Sequence, residues 1–435
     1  KQHSAIFIRT KIMNDLKKNL ELHKEEYLNC LKELVSKDTQ DLGHGIKGGR
    51  EKNGQDYLIK LFEEMNASEI ITDPMDERAI ECTYKKYKEG NLGHVQDDRF
   101  NVYAKFEGKK GGKSLLFNGH VDVMPPGDED KWTNPPFEPT LKNGKLYGRG
   151  IADMKAGLMA PIMAIKLLQD SNIELPGDVT ITSVCDEEGG GNGSMQAIYS
   201  GQRADGVVVC EPTSDELVIA HMGFVFLRVE VSGLAIHSGK KAQGVSAIRK
   251  AMKVINALDE VEYNWLLTKK HFYLPSPSYN VGTIHGGTAG STVADKCVFE
   301  TCIHYIPNQM SHDQVVDEMT DAIMRVSSGD NWLKDHLPKI TEYQAGGGFE
   351  AEMDSDFMKT FEASYSQALG RKVKRVGSFC GCDSRLWQNI AKCHTLQFGP
   401  GEVAQCHVID EHIEIESFYE AILIYAQLIL NWGDR

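Results

Sequence analysis

Long apolar runs are missing from this chain of 435 residues. No run approaches the roughly 18 consecutive apolar residues that a membrane-spanning helix needs. The first residues, 1–4, also lack the apolar core of a secretory signal. We therefore expect no membrane partner and, by default, a cytoplasmic location.

A disulfide framework and an excess of positive charge are missing too. The 10 cysteines are scattered, so reduced structural thiols are expected. Cys380 and Cys382 have no second cysteine pair at zinc-ribbon spacing, which argues against a thiolate metal site. The formal net charge of −14 opposes nucleic-acid binding. The glycine-rich stretch 189–194 lacks the last glycine of the dinucleotide fingerprint and follows acidic residues, which excludes a dinucleotide enzyme.

The most informative segment that is present, residues 115–123, is strand-like and reaches a histidine and an aspartate two positions apart. Residues i and i+2 of a strand share a face. Asp122 is therefore placed to fix the tautomer of His120 through a hydrogen bond, as carboxylates commonly do for metal-binding histidines. The pair predicts a metal site in which His120 is a ligand and Asp122 supports His120 without binding the metal itself.

Carboxylates recur where strands and turns end. Asp153 lies in a glycine-flanked turn before an apolar helix, where it is either a metal ligand or an ordinary helix cap. Asp186, Glu187 and Glu188 follow the strand-like segment 178–185. Three adjacent carboxylates are costly to desolvate together unless protons or a cation compensate them. A cation is the simplest interpretation, and a solvated acidic turn is the alternative.

Two further residues complete the candidate set. Glu211 follows the short apolar run 206–210 and precedes a proline, so a second strand ends on a carboxylate. His407 stands in a loop before the last apolar helix. Alone it would be an ordinary surface histidine.

Together these motifs resemble the co-catalytic zinc aminoacylases and exopeptidases that include acetylornithine deacetylase, succinyl-diaminopimelate desuccinylase, glutamate carboxypeptidase and several dipeptidases. The resemblance covers nearly the whole chain. It rests on Gly-His-x-Asp-Val at 119–123, Gly-Arg-Gly-x-x-Asp-Met-Lys-x-Gly at 148–157, Asp-Glu-Glu at 186–188, Cys-Glu-Pro-Thr at 210–213, a His-Ser-Gly segment at 237–239, Gly-Pro-Gly at 399–401 and the late His407.

The resemblance implies two zinc ions per chain held by five residues: His120 and Glu211 on one ion, Glu188 and His407 on the other, and Asp153 bridging both. Imidazole nitrogen and carboxylate oxygen suit zinc. Cobalt or manganese can substitute, because such ligands select weakly among these metals.

The resemblance also assigns two catalytic roles. Glu187 becomes the general base, which takes a proton from the attacking water and passes it to the leaving amine. His237 is expected on a separate lid domain, from which it reaches the oxyanion of the substrate, usually in the partner subunit of a homodimer. Donors aimed at developing negative charge contribute roughly 3 kcal/mol each.

One departure from the family pattern concerns substrate binding. Many relatives that release amino acids grip a carboxylate with an asparagine and an arginine, and those places align by eye with Thr292 and His304. Histidine has no equivalent of the bidentate arginine fork. Arg385 is a candidate substitute, although a surface ion pair is the more ordinary interpretation.

The alternation of strand and helix signals predicts an α/β protein. We expect a mainly parallel sheet covered by helices, formed by residues 1–222 and 339–435. Residues 223–338 are expected to form an inserted smaller α+β domain, which the resemblance implies is the lid and dimerisation domain.

The sequence therefore predicts a di-zinc amide hydrolase, most readily one that removes the acyl group from an N-acyl amino acid. A metallodipeptidase or carboxypeptidase acting on small peptides is the alternative. A degenerate relative that binds metal or peptide without turnover is a third class, and the presence of Glu187 and of every expected ligand argues against it.

Overall fold

The computed structural model describes residues 2–41 and 49–435. Its helices are α1 Gln2–Val35, α2 Lys52–Glu64, α3 Glu77–Tyr87, α4 Ala156–Asp170, α5 Asn192–Tyr199, α6 Ala247–Thr268, α7 His312–Ser328, α8 Asp356–Leu369, α9 Ser384–Asn389 and α10 Ile415–Gly433. Among the described residues, none of these helices has both the length and the apolar character needed to cross a membrane.

The strands range from 2 to 10 residues in length. They are β1 Glu69–Pro74, β2 Phe100–Phe106, β3 Leu115–His120, β4 Thr140–Lys142, β5 Lys145–Tyr147, β6 Val179–Val184, β7 Gly206–Val209, β8 Leu217–His221, β9 Gly223–Ser232, β10 Ser278–Gly286, β11 Lys296–Tyr305, β12 Lys339–Gly346, β13 Phe349–Glu350, β14 Arg375–Ser378, β15 His394–Gln397 and β16 His412–Glu414.

The chain divides into two compact units. The first comprises Lys1–Ile219, Ala351–Val376 and Cys382–Arg435, and the second comprises Ala220–Glu350 and Gly377–Gly381. The domain limits expected at 222 and 338 stay predictions. The later one falls before β12, which pairs with β9 and so extends the sheet of the second unit.

The first unit is built on a sheet that contains, in this order, the strands β1-β2-β6-β3-β7-β15. The four strands β6, β3, β7 and β15 are parallel, and β1 and β2 add an antiparallel edge. The central strands are buried along almost their whole length, which explains their continuous apolar sequences.

Helices cover both faces of this sheet, because successive side chains of a strand point to opposite faces. Leu116 belongs to a core cluster with Met195 of α5 and Trp387 of α9. Its neighbour Phe117 packs edge-to-face on Tyr425 of α10, with ring centroids 4.9 Å apart. The predicted α/β class is confirmed.

The second unit has a four-stranded antiparallel sheet in the order β10-β11-β9-β12. The inward side chains of β9 alternate with exposed or half-buried ones, and α6 and α7 pack on them. A capping box at Ser311 and Gln314 starts α7. The smaller α+β unit that the sequence predicted is therefore present.

Candidate metal centre

Three neighbouring parallel strands end at one edge of the sheet in the first unit. His120 is the last residue of β3, Glu188 follows β6, and Glu211 follows β7. Strand β3 lies between β6 and β7 and pairs in parallel with both. Their carboxyl ends therefore meet, which is where open α/β sheets bind ligands.

Asp153 stands between two imidazoles at this edge. Its Oδ1 lies 3.1 Å from Nε2 of His120, and its Oδ2 lies 3.2 Å from Nε2 of His407. Nε2 of His407 is also 3.0 Å from Oε1 of Glu188, and Nε2 of His120 is 3.8 Å from Oε1 of Glu211. The two oxygens of the Asp153 carboxylate thus face different histidines. Oδ1 faces His120, which lies near Glu211, and Oδ2 faces His407, which lies near Glu188.

These distances suit two cations that share one carboxylate. Two ligand atoms at 2.0–2.1 Å from a tetrahedral zinc ion lie about 3.3 Å apart. Two groups of side chains whose donor atoms lie close enough together to hold a metal ion share Asp153: His120, Asp153 and Glu211, and Asp153, Glu188 and His407. These nitrogen and oxygen donors fit divalent metal ions, and they belong to the five residues that the resemblance named; their role as ligands stays a prediction.

The charges of these acids and histidines also favour the binding of cations. Burial raises the pKa values of Glu188 and Glu211. Hydrogen bonds to Asp153 and Glu188 raise the pKa of His407 to about 10. Burial acts to raise the pKa of Asp153 as well, but hydrogen bonds from His120 and His407 outweigh it and lower that pKa. Metal ions would compensate the crowded carboxylates in place of these protons.

Glu187 lies beside the donor set on the turn after β6 and is partly exposed. Burial raises its pKa well above the ordinary value for glutamate, and the charges of Asp383 and Glu211 raise it further. A carboxylate with a raised pKa can accept a proton from water near neutral pH. Asp383, a buried acid that sequence reasoning did not single out, contributes to this property.

The structure corrects how Asp122 acts on His120. Nδ1 of His120 lies 2.8 Å from the backbone carbonyl of Asp122 and 3.6 Å from its carboxylate. The carbonyl therefore fixes the tautomer. The Asp122 carboxylate instead accepts a hydrogen bond from the backbone N–H of Glu188 at 3.0 Å, which ties the ends of β3 and β6 together.

Glu411 holds the turn that carries Asp153, and sequence reasoning missed it. Its buried carboxylate accepts hydrogen bonds from the backbone N–H groups of Gly150, Ala152 and Asp153 at 2.9, 2.8 and 3.2 Å. Arg149 donates to the same carboxylate at 2.7 Å. The sequence shows only an acid four positions after His407, and this position does not by itself predict a contact with the turn that carries Asp153.

Replacing Glu411 with glutamine is expected to loosen this turn. The change leaves the Arg149 guanidinium buried without its counter-charge, which typically costs about 3–5 kcal/mol of unfolding free energy. Loss of support behind a ligand also lowers metal affinity about 10–100-fold. Denaturant unfolding and zinc titration measure the two effects.

The control for this prediction is Glu414→Gln, which removes an exposed carboxylate 3.2 Å from Lys145. Exposed ion pairs contribute at most about 1 kcal/mol, so this variant should resemble the wild type. Equal stability and zinc affinity in both variants would mean that Glu411 does not hold the turn.

The second unit contains three of the predicted site residues. His237 is exposed, and its backbone forms an isolated bridge with that of Thr292, which brings these two together. His304 is half-buried on β11, opposite Phe224 of β9 and Ser278 of β10. Burial lowers the pKa of His304, so its imidazole is neutral at neutral pH.

Arg385 is buried rather than presented to a ligand. Its Nε lies 2.9 Å from Oε2 of Glu89, and its Nη1 and Nη2 donate to the carbonyls of Cys382 and Gly190. These contacts give it a structural role beside the turn after Glu188. They do not support the predicted role in substrate binding.

Comparison with known proteins identifies the family. The protein-family model described as Peptidase family M20/M25/M40 matches residues 116–431 of the chain. The N-formyl-4-amino-5-aminomethyl-2-methylpyrimidine deformylase of Bacillus subtilis (strain 168) is 29% identical over 446 residues, which cover 97% of each chain. The acetylornithine deacetylase of Pectobacterium carotovorum subsp. carotovorum (strain PC1) is 29% identical over 338 residues, covering 76% of this chain and 83% of the relative.

Solved structures show the same fold. A tripeptidase from Staphylococcus aureus superposes with a TM-score of 0.74 at 20% identity, covering 94% of this chain and 99% of that one. The matches together define a metal-dependent hydrolase that acts on amide bonds. The chain belongs to Peptidase family M20/M25/M40, which confirms the resemblance drawn from its motifs.

Proposed function

We propose that this protein is a di-zinc N-deacylase that hydrolyses the amide bond of a small N-acyl amine. The observation that carries the proposal is the position of Asp153, whose two oxygens face His120 and His407 separately. Glu211 and Glu188 supply the remaining donors, one on each side.

The chain's own residues account for the proton transfers. Zinc ions held by these residues would supply Lewis-acid chemistry, which lowers the pKa of a bound water and polarises the scissile carbonyl. Glu187 takes the proton as the water attacks the acyl carbon and gives it to the amine nitrogen as the C–N bond breaks. Asp122 and Glu411 keep Glu188 and Asp153 in place through the backbone hydrogen bonds described above.

Two features favour an amine portion without a carboxylate. The sequence prediction was an N-acyl amino acid, yet the places of the asparagine and arginine clamp hold Thr292 and a neutral His304. Arg385, the candidate substitute, is engaged with Glu89. The deformylase that matches 97% of the chain is named for the formamide of an aminomethylpyrimidine, which has no carboxylate.

An N-acyl amino acid remains the second candidate, and one observation favours it. Thr292 lines a surface pocket of about 570 Å³ in the second unit together with Lys241 and Arg249. These two cationic side chains can hold a carboxylate. A dipeptide would use the same group, so the dipeptidase alternative depends on the same pocket.

A substrate comparison separates these candidates. The zinc-loaded protein is assayed with N-formyl-4-amino-5-aminomethyl-2-methylpyrimidine, N-acetylornithine and a dipeptide, and again after removal and return of zinc. We expect zinc-dependent turnover, with kcat/KM highest for the formamide by more than about tenfold, the equivalent of 1.4 kcal/mol. Preference for acetylornithine or the dipeptide would select the second candidate or the peptidase. Turnover that survives complete metal removal would refute the proposal.

Three finer predictions accompany this function. We propose that His237 donates to the oxyanion of the substrate from the partner subunit of a homodimer formed through the second unit. We also propose a cytoplasmic location. Cobalt and manganese are expected to support activity in place of zinc, because the nitrogen and oxygen donors do not discriminate strongly.

A further inference from the structure

The turn that presents Glu187 and Glu188 begins with an unusual backbone conformation. Asp186 has φ +59°, in the left-handed region, and Gly190 and Gly191 also have positive φ. Glycine adopts this region freely, and aspartate is among the few other residues that visit it singly when its side chain is hydrogen-bonded. The contacts of the Asp186 side chain therefore matter for the conformation of the turn.

The carboxylate of Asp186 is fully buried and surrounded by donors. Its Oδ1 lies 2.6 Å from Nδ1 of His94 and 3.0 Å from Nη1 of Arg99. Its Oδ2 accepts hydrogen bonds from Gln96 at 2.9 Å and from Asn192 at 2.6 Å. Three of these four donors come from one segment, residues 91–99, which we name the clasp.

The clasp also holds the far side of the turn. The side-chain amide of Asn91 donates to the carbonyl of Gly189 at 2.8 Å. The side chain of Asn192 accepts from the Asn91 backbone N–H and donates to its carbonyl, both at 2.9 Å. The turn after β6 is thus fixed at Asp186, at Gly189 and at Asn192, with Glu187 and Glu188 between these points.

The contacts around Asp186 form a second cluster of acids and a histidine, and this cluster is not a metal site. Asp41, His94 and Asp186 are close enough to hold one. However, the guanidinium of Arg99 already contacts both acids, at 3.3 Å from Asp41 and 3.0 Å from Asp186. A cation there would face an arginine at contact distance, so the cluster is a charge-paired support.

We propose that Asp186 and the clasp are positioning elements that aim Glu187 at the reacting water and Glu188 at its metal ion. This inference deepens the proposed function and rests on it. The side chain of Asp186 is fully buried and occupied by the donors named above, so it acts through the turn. A change there should alter kcat and metal affinity more than KM.

The test uses the zinc-loaded full chain and the variants Asp186→Asn, His94→Leu and His94→Gln. For Asp186→Asn we expect kcat to fall about 10–100-fold and the affinity for the zinc ion that Glu188 would hold to fall on the same scale, as for other groups that support metal ligands. KM should change by less than about threefold, because a kcat loss without a KM change marks an interaction that matters in the transition state. His94→Gln keeps a side-chain N–H donor and should recover most of what His94→Leu loses.

Asp73→Asn is the matched control. Asp73 accepts hydrogen bonds from Tyr103, Ser200 and Gln196 in the same unit, and none of these three donors belongs to the turn residues 186–192. It should lower the melting temperature without changing kcat or zinc affinity. If Asp186→Asn keeps wild-type kcat and zinc affinity, or if Asp73→Asn loses them equally, the positioning role is wrong.

Zinc affinity can be measured without any turnover. This measurement therefore separates the positioning role of Asp186 from the proposed function. If the wild type binds zinc but hydrolyses none of the amides, the proposed function fails, while a zinc affinity that is lowered in Asp186→Asn and spared in Asp73→Asn still supports positioning. If the wild type binds no zinc after reconstitution, both proposals fall.

Discussion

Replacing Glu187 with glutamine is expected to reduce kcat by about 10³-fold or more while two zinc ions stay bound. Glutamine has nearly the shape of glutamate but cannot accept the proton of the attacking water, and general acid–base catalysis is worth about 10²–10⁴-fold. Glu187 belongs to neither group of candidate metal ligands in the described chain. Steady-state kinetics and metal analysis of the same sample measure both parts of the expectation.

The control for Glu187 is Glu138→Gln, which removes an exposed carboxylate from the same unit. Its kcat and zinc content should match the wild type. If Glu187→Gln retains more than about a tenth of wild-type kcat, Glu187 is not the base. If the same variant loses its zinc, Glu187 is a ligand, and the roles assigned to Glu187 and Glu188 must be revised.

Replacing Asp153 with alanine is the second large change, because it removes the only donor shared by both groups of ligands among the described residues. Each remaining group keeps one imidazole and one carboxylate. Zinc affinity should fall by more than the roughly 10–100-fold seen when a group behind a ligand is lost. We expect fewer than one zinc ion per chain after dialysis, and no measurable turnover.

Asp170→Asn provides a matched control for Asp153. Asp170 also lies near a histidine and a glutamate, His23 and Glu26, but it accepts a hydrogen bond from Tyr27 at 2.7 Å and pairs with Lys166. Its replacement should leave the zinc content unchanged. Two retained zinc ions in Asp153→Ala would show that the carboxylate does not bridge them.

The sequence was sufficient to predict the strand ends that build the site. Buried parallel strands read as continuous apolar runs, and the residues that follow them gather at one edge of the sheet. His120, the acidic cluster 186–188 and Glu211 were predicted on this basis, and the choice of Glu188 within the cluster came from the family resemblance. Their grouping with Asp153 and His407 came from the family resemblance, since no periodicity relates a turn and a late loop to those strands.

The details behind the ligands could not be predicted, for identifiable physical reasons. Asp122 was expected to share a face with His120, but β3 ends at His120, so the alternation of side chains stops and the backbone carbonyl reaches Nδ1 instead. Glu411 and the clasp act through backbone N–H groups and buried polar contacts between distant segments. Such contacts leave no pattern in the local sequence.

Arg385 shows a similar limit. An arginine at a helix start is equally compatible with ligand binding and with an ion pair, and only the position of Glu89, far away in the sequence, decides between them. Composition also said nothing about the amine portion of the substrate. That question depends on single residues of the second unit such as Thr292.

The most direct test of the account is an anomalous diffraction measurement at the zinc edge on crystals of the zinc-reconstituted protein. We predict two anomalous peaks about 3.5–4 Å apart, the separation usual for paired catalytic metals. Asp153 should lie between them, with His120 and Glu211 at one peak and Glu188 and His407 at the other. A single peak, or peaks away from these five residues, would contradict the proposed metal centre.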